Sequence, residues 1–204
     1  THIAGRVAAT ADISIGVAGL ARVCKLMPLK IVPLPLTSFI VAAIVYAADN
    51  GADVINMSFG LPYTSQLMEE AMAYARAKGV VLCAAAGNDF TEFVNYPAGS
   101  PLTIAVGATD DSDHVTSFST YGAHLDICAP GHSILSLRAG NTDMYADSYP
   151  REPNVHIINT RYYLASGTSM ACPYVVAAAA YLRALSPGLT PQRVQEILQS
   201  SADD

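Results

Sequence analysis

The sequence predicts an α/β fold, with a mostly parallel sheet and helices on both faces in a three-layer αβα arrangement. Three observations predict it. Short apolar runs alternate with longer helical patterns, several runs are apolar at successive positions as in strands covered on both faces, and the helical patterns end in glycines placed for left-handed caps.

The first strand candidate is 25–32, followed by a helix over 38–50 that Gly51 closes. A second strand candidate at 54–57 leads into a helix over 65–78, closed by Gly79. Further strand candidates are 80–84, 102–106 and 125–128. Residues 169–182 are predicted to form an alanine-rich helix of almost no polarity. A last helix takes Thr190 as N-cap and Pro191 as its first residue, setting Val194, Ile197 and Leu198 on one face. The stretch 138–163 is too long for a simple connection and reads as a hairpin or flap. In such sheets the chemistry sits at the carboxyl ends of the strands, which directs attention to the loops after Met57, Ala84 and Val106.

Composition narrows the function. The chain has 204 residues, 51% of them hydrophobic and 14% charged, which argues for a buried interior and against disorder. A net charge of −6 without a basic patch offers no footprint for nucleic acid. The apolar stretches 31–48 and 162–182 are broken by Pro33 and Pro35, and by Gly167 and Pro173, so neither is expected to span a membrane. The opening Thr1-His2-Ile3-Ala4-Gly5 carries no signal-peptide pattern. Cys24, Cys83, Cys128 and Cys172 lack metal-ligand spacing and read as buried small hydrophobes, with disulfides left open.

The strongest local signal is Ser166-Gly167-Thr168-Ser169-Met170-Ala171-Cys172-Pro173. Ser169 there falls at a helix N-terminus, where unpaired N–H groups and the dipole favour negative charge developing on a bound acyl group. The same octapeptide also reads as a plain helix start, since Ser and Thr are the commonest caps. Cys83-Ala84-Ala85-Ala86-Gly87-Asn88 ends a buried run in a turn where a ligand can lie against the backbone and the Asn amide can donate; taken alone, Gly-Asn is also an ordinary turn. Ile55-Asn56-Met57-Ser58-Phe59-Gly60 is a strand end of the same kind. His114 in Asp110-Asp111-Ser112-Asp113-His114 reads as a solvated turn.

Together with Thr1-His2-Ile3-Ala4-Gly5 and Tyr96-Pro97-Ala98, these segments resemble, in order and approximate spacing, the signature segments of subtilisin-like serine proteases, the subtilases. The resemblance implies that residues 1–204 are the C-terminal portion of a single subtilisin-like peptidase domain, a three-layer αβα fold incomplete at its N-terminal side. It makes Ser169 the nucleophile and Asn88 the side-chain donor of the oxyanion hole, with the Ser169 N–H beside it. Ser58, Phe59 and Gly60, with Ala85, Ala86 and Gly87, would line the specificity pocket, whose floor reads as small and apolar and predicts acceptance of hydrophobic or aromatic side chains. Tyr96-Pro97 resembles a turn that is cis in the family.

A serine hydroxyl needs a base within reach and an acid to orient that base. The family order is Asp, His, Ser, and the catalytic His opens a His-Gly-Thr-His segment whose second His matches His2. The resemblance therefore places the catalytic Asp and His upstream of residue 1, with His2 in a packing role. The chain alone is expected to be inactive or nearly so. Departures from the pattern include Tyr174 where a His is usual, and 32–36, whose prolines replace a glycine-rich edge strand. The loop 11–16 takes the place of a calcium-binding loop, but Ile13 stands where an Asn ligand is usual, which removes one of the six to eight oxygens calcium prefers.

The resulting expectation is a serine endopeptidase that needs no cofactor for its chemistry and acts on polypeptides, not on nucleic acid or at a membrane. Family resemblance puts it outside the cell or on its surface. Its partner is an upstream segment or separate fragment carrying Asp and His. A non-catalytic pseudo-protease is the alternative. An α/β-hydrolase esterase would want G-x-S-x-G, where this chain has Ala171 at the fifth position, and no phosphate-binding glycine loop is present.

Overall fold

A computed structural model of the chain describes residues 1–11, 16–31, 36–140 and 156–203. The chain enters through helix α1 (His2–Ala8) and continues through α2 (Thr37–Asp49), strand β1 (Val54–Met57), α3 (Gln66–Ala77), β2 (Val81–Ala85), β3 (Ile104–Thr109) and β4 (Ile127–Pro130). It then passes through β5 (Ile134–Leu137), β6 (Ile157–Ile158), β7 (Tyr162–Ala165), α4 (Thr168–Leu185) and α5 (Pro191–Ser200). Strands β1 to β4 form one four-stranded sheet in sequence order, every pair parallel. Strands β5, β7 and β6 form a small antiparallel sheet.

The two-residue period of β2 shows why the domain has three layers. Val81, Cys83 and Ala85 pack with Ile104, Val106 and Ala108 of β3 against Ala171, Cys172, Val175 and Val176 of α4 and Val194 and Leu198 of α5. Leu82, Ala84 and Ala105 face the other way, onto Ile40 and Ile44 of α2 and Met68, Met72 and Ala75 of α3. Every residue of β2 is buried, as an apolar run with no polar face requires. The parallel sheet and its two helical layers agree with the fold class expected from the sequence.

The caps follow the sequence signals. Ser65 Oγ accepts from Met68 N–H at 3.2 Å, and Thr190 Oγ1 from Arg193 N–H at 3.2 Å. Gly51 and Gly79 stand at φ +78° and +86° just beyond α2 and α3. Tyr96–Pro97 is cis, as expected. Strand β3 starts later than the expected 102–106 because Thr103 is held in a turn, its hydroxyl donating to Pro97 O at 2.9 Å and Ser100 O at 3.0 Å.

One expectation fails. Residues 25–31 carry no strand pairing, and Leu26, Met27 and Leu29 are 48%, 41% and 37% exposed. An apolar run becomes a strand only where a ladder partner satisfies its backbone, and among the described residues β1 pairs with β2 alone. The expected hairpin in 138–163 is partly seen, as the antiparallel pairing of β6 with β7; 141–155 lie outside the described residues, as do Ile13 and most of the 11–16 loop. Among the described residues no helix is long and apolar enough to cross a membrane.

Candidate active site

The parallel register pairs Met57 with Ala84, so β1 and β2 finish at the same edge of the sheet. The segments they release, Ser58-Phe59-Gly60 and Ala86-Gly87-Asn88, therefore leave side by side. The start of α4 reaches the same edge, with Gly167 as its N-cap at φ 149°. Gly131 O accepts from Gly167 N–H at 2.8 Å, and Ser166 Oγ accepts from Ser133 N–H at 2.9 Å, which fixes the approach of the chain to the helix.

The first N–H groups of a helix lack intrahelical acceptors. At α4 the Thr168 N–H donates to Asn88 Oδ1 at 2.8 Å, while those of Met170 and Ala171 turn back to Gly167 O at 2.9 and 3.3 Å. The Ser169 N–H is left without an acceptor among the described residues. Thr168 Oγ1 donates to Asn88 Oδ1 at 3.1 Å and accepts from Gly87 N–H at 3.1 Å. Two donors on one carboxamide atom identify it as the oxygen, so the Asn88 Nδ2 is turned away from Thr168; it would lie 3.4 Å from a methyl group on Gly167 and has no acceptor among the described residues. The structure thus brings Asn88 and Ser169 together at the mouth of α4 with two unpaired N–H donors, one from each.

The other end of the first turn is set by Pro173. Having no N–H, it leaves the carbonyl four residues earlier, that of Ser169, without its helical donor. Ser58 Oγ supplies one at 3.0 Å and in turn accepts from Asn56 Nδ2 at 2.9 Å. The Ser169 hydroxyl donates to the Ser58 carbonyl at 3.3 Å. Ser169 is half-buried.

No imidazole fills the role of a partner to that hydroxyl among the described residues. His2 is 4% exposed, its Nε2 donating to Ile134 O and Tyr163 O, both at 3.1 Å. The ring is thus tied by hydrogen bonds to β5 and β7. Burial lowers its pKa, and the nearby Arg6 charge adds to the effect although both carbonyl bonds oppose it. His156 stacks on Tyr163 with ring centroids 5.8 Å apart, and the backbone N–H of His114 donates to Asp110 Oδ1 at 3.1 Å in the expected turn. Cys172 lies one turn from Ser169, but burial pushes its thiol up to about 12, and burial raises Cys83 well above its ordinary value, so both stay protonated and inert.

The expected pocket residues divide by what they expose. Phe59 packs its ring against the α2–α3 layer, and Ala85 and Ala86 are 4% and 0% exposed, so these three offer backbone rather than side chain. Sequence reasoning missed Asn95. Leu61 and Tyr96 form an antiparallel bridge through bonds of 2.7 and 2.8 Å, and beside it a methyl group on Gly60 would lie 3.4 Å from Asn95 Cβ. The Asn95 side chain enters between the two glycine segments, its Nδ2 donating to Ala86 O at 3.4 Å. Its position directly before Tyr96-Pro97 was the available signal.

The fold and the site define an αβα domain of the parallel class with a serine presented at a helix mouth beside an asparagine amide. Residues 1–204 match the model of the subtilase family, and the chain belongs to that family. It is 37% identical to the thermophilic serine proteinase of Bacillus sp. (strain AK1), over 100% of this chain and 46% of the relative. To subtilisin NAT of Bacillus subtilis subsp. natto it is 38% identical, over 99% of this chain and 50% of the relative. Among solved structures, a protease from Pseudoalteromonas arctica PAMC 21717 superposes with a TM-score of 0.87 at 31% identity, covering 100% of this chain and 63% of that one. Fervidolysin from Fervidobacterium pennivorans, a keratinolytic enzyme related to subtilisin, superposes with a TM-score of 0.86 at 33% identity, covering 100% and 32%. The chain spans about half the length of these two curated relatives.

Proposed function

We propose that these residues form the C-terminal portion of a serine endopeptidase domain that hydrolyses peptide bonds through an acyl-enzyme on Ser169. The observation that carries this reading is that Asn88 Oδ1 takes the Thr168 N–H and hydroxyl at 2.8 and 3.1 Å, leaving the Asn88 Nδ2 and the Ser169 N–H as unpaired donors at the mouth of α4 among the described residues. Ser169 Oγ attacks the scissile carbonyl and gives its proton to a base. The carbonyl oxygen takes the negative charge and is held by those donors, fixed before the reaction so that no reorganisation is required. Collapse of the adduct breaks the C–N bond, and the base returns its proton to the departing amine. Water then attacks the ester by the same steps in reverse, freeing Ser169.

The base and its orienting acid come from residues outside this chain, on a segment upstream or on a separate fragment. Supporting this, the Ser169 hydroxyl rests on the Ser58 carbonyl and the nearby helix α1 holds its histidine on two backbone carbonyls. Polypeptide is the substrate, no cofactor enters the chemistry, and the family resemblance favours action outside the cell. The hydroxyl's bond to Ser58 is equally the observation that favours a non-catalytic binding domain.

A fluorophosphonate probe separates the two readings. The 204-residue chain should label slowly at Ser169, because a triad without its base keeps chiefly oxyanion and binding effects. The same chain extended upstream to include an Asp-bearing strand and a His-Gly pair should label at least about a hundredfold faster. Equal, slow labelling of both would favour the binding domain.

A further inference from the structure

Asn56 stands one residue before the end of β1, and its side chain reaches forward to Ser58. Because Pro173 leaves the Ser169 carbonyl without a helical donor, Ser58 Oγ supplies one at 3.0 Å. A carbonyl can only accept, so the single proton of the Ser58 hydroxyl is committed to Ser169. The Asn56 carboxamide atom 2.9 Å from Oγ must therefore be the donating Nδ2. The buried, protonated Cys172 thiol also meets Ser58, and its sulfur is a second acceptor toward which that hydroxyl can turn. On its other side Asn56 Oδ1 is buried with no partner among the described residues. Stability alone does not explain such a side chain, since an unpaired buried acceptor costs more than an apolar group of the same shape.

We infer that Asn56 is a positioning residue for the Ser169 nucleophile: its amide turns the Ser58 proton onto the Ser169 carbonyl and so holds the first turn of α4 in the geometry the reaction needs. This deepens the peptidase reading above and rests on it. Ser169 is tied on both flanks. Before it, Thr168 is bound to Asn88 Oδ1 through its N–H and its hydroxyl, at 2.8 and 3.1 Å. After it, the carbonyl of Ser169 itself is bound to Ser58. With both flanks held, the Ser169 N–H stays aimed at the place where negative charge develops, and Oγ keeps its approach to the scissile carbon. Asn56 Nδ2 fills a lone pair of Ser58 Oγ. Without it the Ser58 hydroxyl can rotate toward Cys172, which releases the second flank.

Two near-isosteric substitutions test this in the full protein that contains the base, with Ala-Ala-Pro-Phe p-nitroanilide as substrate. Asn56→Leu removes the donor and should lower kcat by about tenfold or more while KM changes by less than about twofold. Asn56→Asp should be at least as slow at alkaline pH, because a carboxylate only accepts and draws the Ser58 proton off the Ser169 carbonyl. Protonating that carboxyl, whose pKa burial raises, returns a donor to Ser58. The kcat of Asn56→Asp relative to wild type at the same pH should therefore climb several-fold between about pH 9 and about pH 5.5, which a purely structural role would not produce. Should Asn56→Leu fail to fold, Asn56→Asp carries the test. Wild-type kcat in the variants, a loss confined to KM, or Asn56→Asp equally depressed across that range overturns the inference and leaves the peptidase reading standing. A wild type that neither turns over the substrate nor acylates Ser169 defeats the peptidase reading, and the inference with it.

Discussion

Ser58 and Ser169 hold each other reciprocally: the Ser58 hydroxyl donates to the Ser169 carbonyl at 3.0 Å, and the Ser169 hydroxyl donates to the Ser58 carbonyl at 3.3 Å. The first bond exists because Pro173 cannot donate. Ser58→Ala should therefore strand a carbonyl and cost about 1–3 kcal/mol, read as a fall of about 2–4 °C in Tm per kcal/mol at this chain length. Pro173→Ala restores an N–H to that carbonyl. The cost of Ser58→Ala should be smaller in a Pro173→Ala background, and strict additivity in the double-mutant cycle would contradict the relationship.

Asn88 is the second group whose removal has a defined size. Asn88→Ala should lower turnover by about 10²–10³, a magnitude established for the same donor in a subtilisin, a relative of this chain. KM should change little, because the interaction belongs to the transition state. A loss confined to KM would move Asn88 out of the oxyanion role and into substrate binding. Removal of the Asn88 oxygen also leaves the Thr168 N–H unpaired, so a modest drop in Tm should accompany the kinetic loss.

His2 gives the fold a pH dependence whose sign is fixed. Its folded pKa lies below the ordinary 6.5, chiefly through burial, so between the folded and unfolded values the unfolded chain binds more protons. Stability should be unaffected by this group above about pH 6.5 and should fall as the pH drops below that value. The structural reason is visible at the ring: Nε2 already donates to two carbonyls, and Nδ1 is buried with no partner to receive a proton's hydrogen bond. Denaturant titrations of wild type and His2→Gln between pH 5 and 8 should show a slope that the variant lacks, and parallel curves would contradict the assignment.

Arg6 ties α1 to α4, lying over the Tyr174 ring at 4.6 Å and donating to its hydroxyl at 2.5 Å. Tyr174→Phe keeps the ring and should cost about 1 kcal/mol; Tyr174→Ala loses both contacts and should cost about 1–2 kcal/mol more. Identical Tm values for the two variants would show that the ring contributes nothing.

Much of this was legible in the letters because the physics is local. The apolar periods and the Gly51, Gly79 and Thr190 signals act within a few residues, so helices α2 to α5 and the strands 54–57 and 80–84 could be read to within about a turn, whereas α1 was not read. The motifs that carry Ser169, Asn88 and Ser58 stood out in the sequence, and the structure brings the three segments together. What could not be read depends on distant pairing. Residues 25–31 look like a strand and lack a ladder partner, which no apolar pattern discloses. Asn95 enters the cleft only because Leu61 and Tyr96 bridge across the fold, and the Ser58 bond to Ser169 needs two segments 111 residues apart.

The most direct measurement is the site of acylation. The full protein, mixed with a peptidyl p-nitrophenyl ester, quenched in acid and digested, should yield one acylated peptide, modified at Ser169, formed in a burst that Ser169→Ala abolishes. Acylation at another residue, or unchanged turnover in Ser169→Ala, would contradict the account.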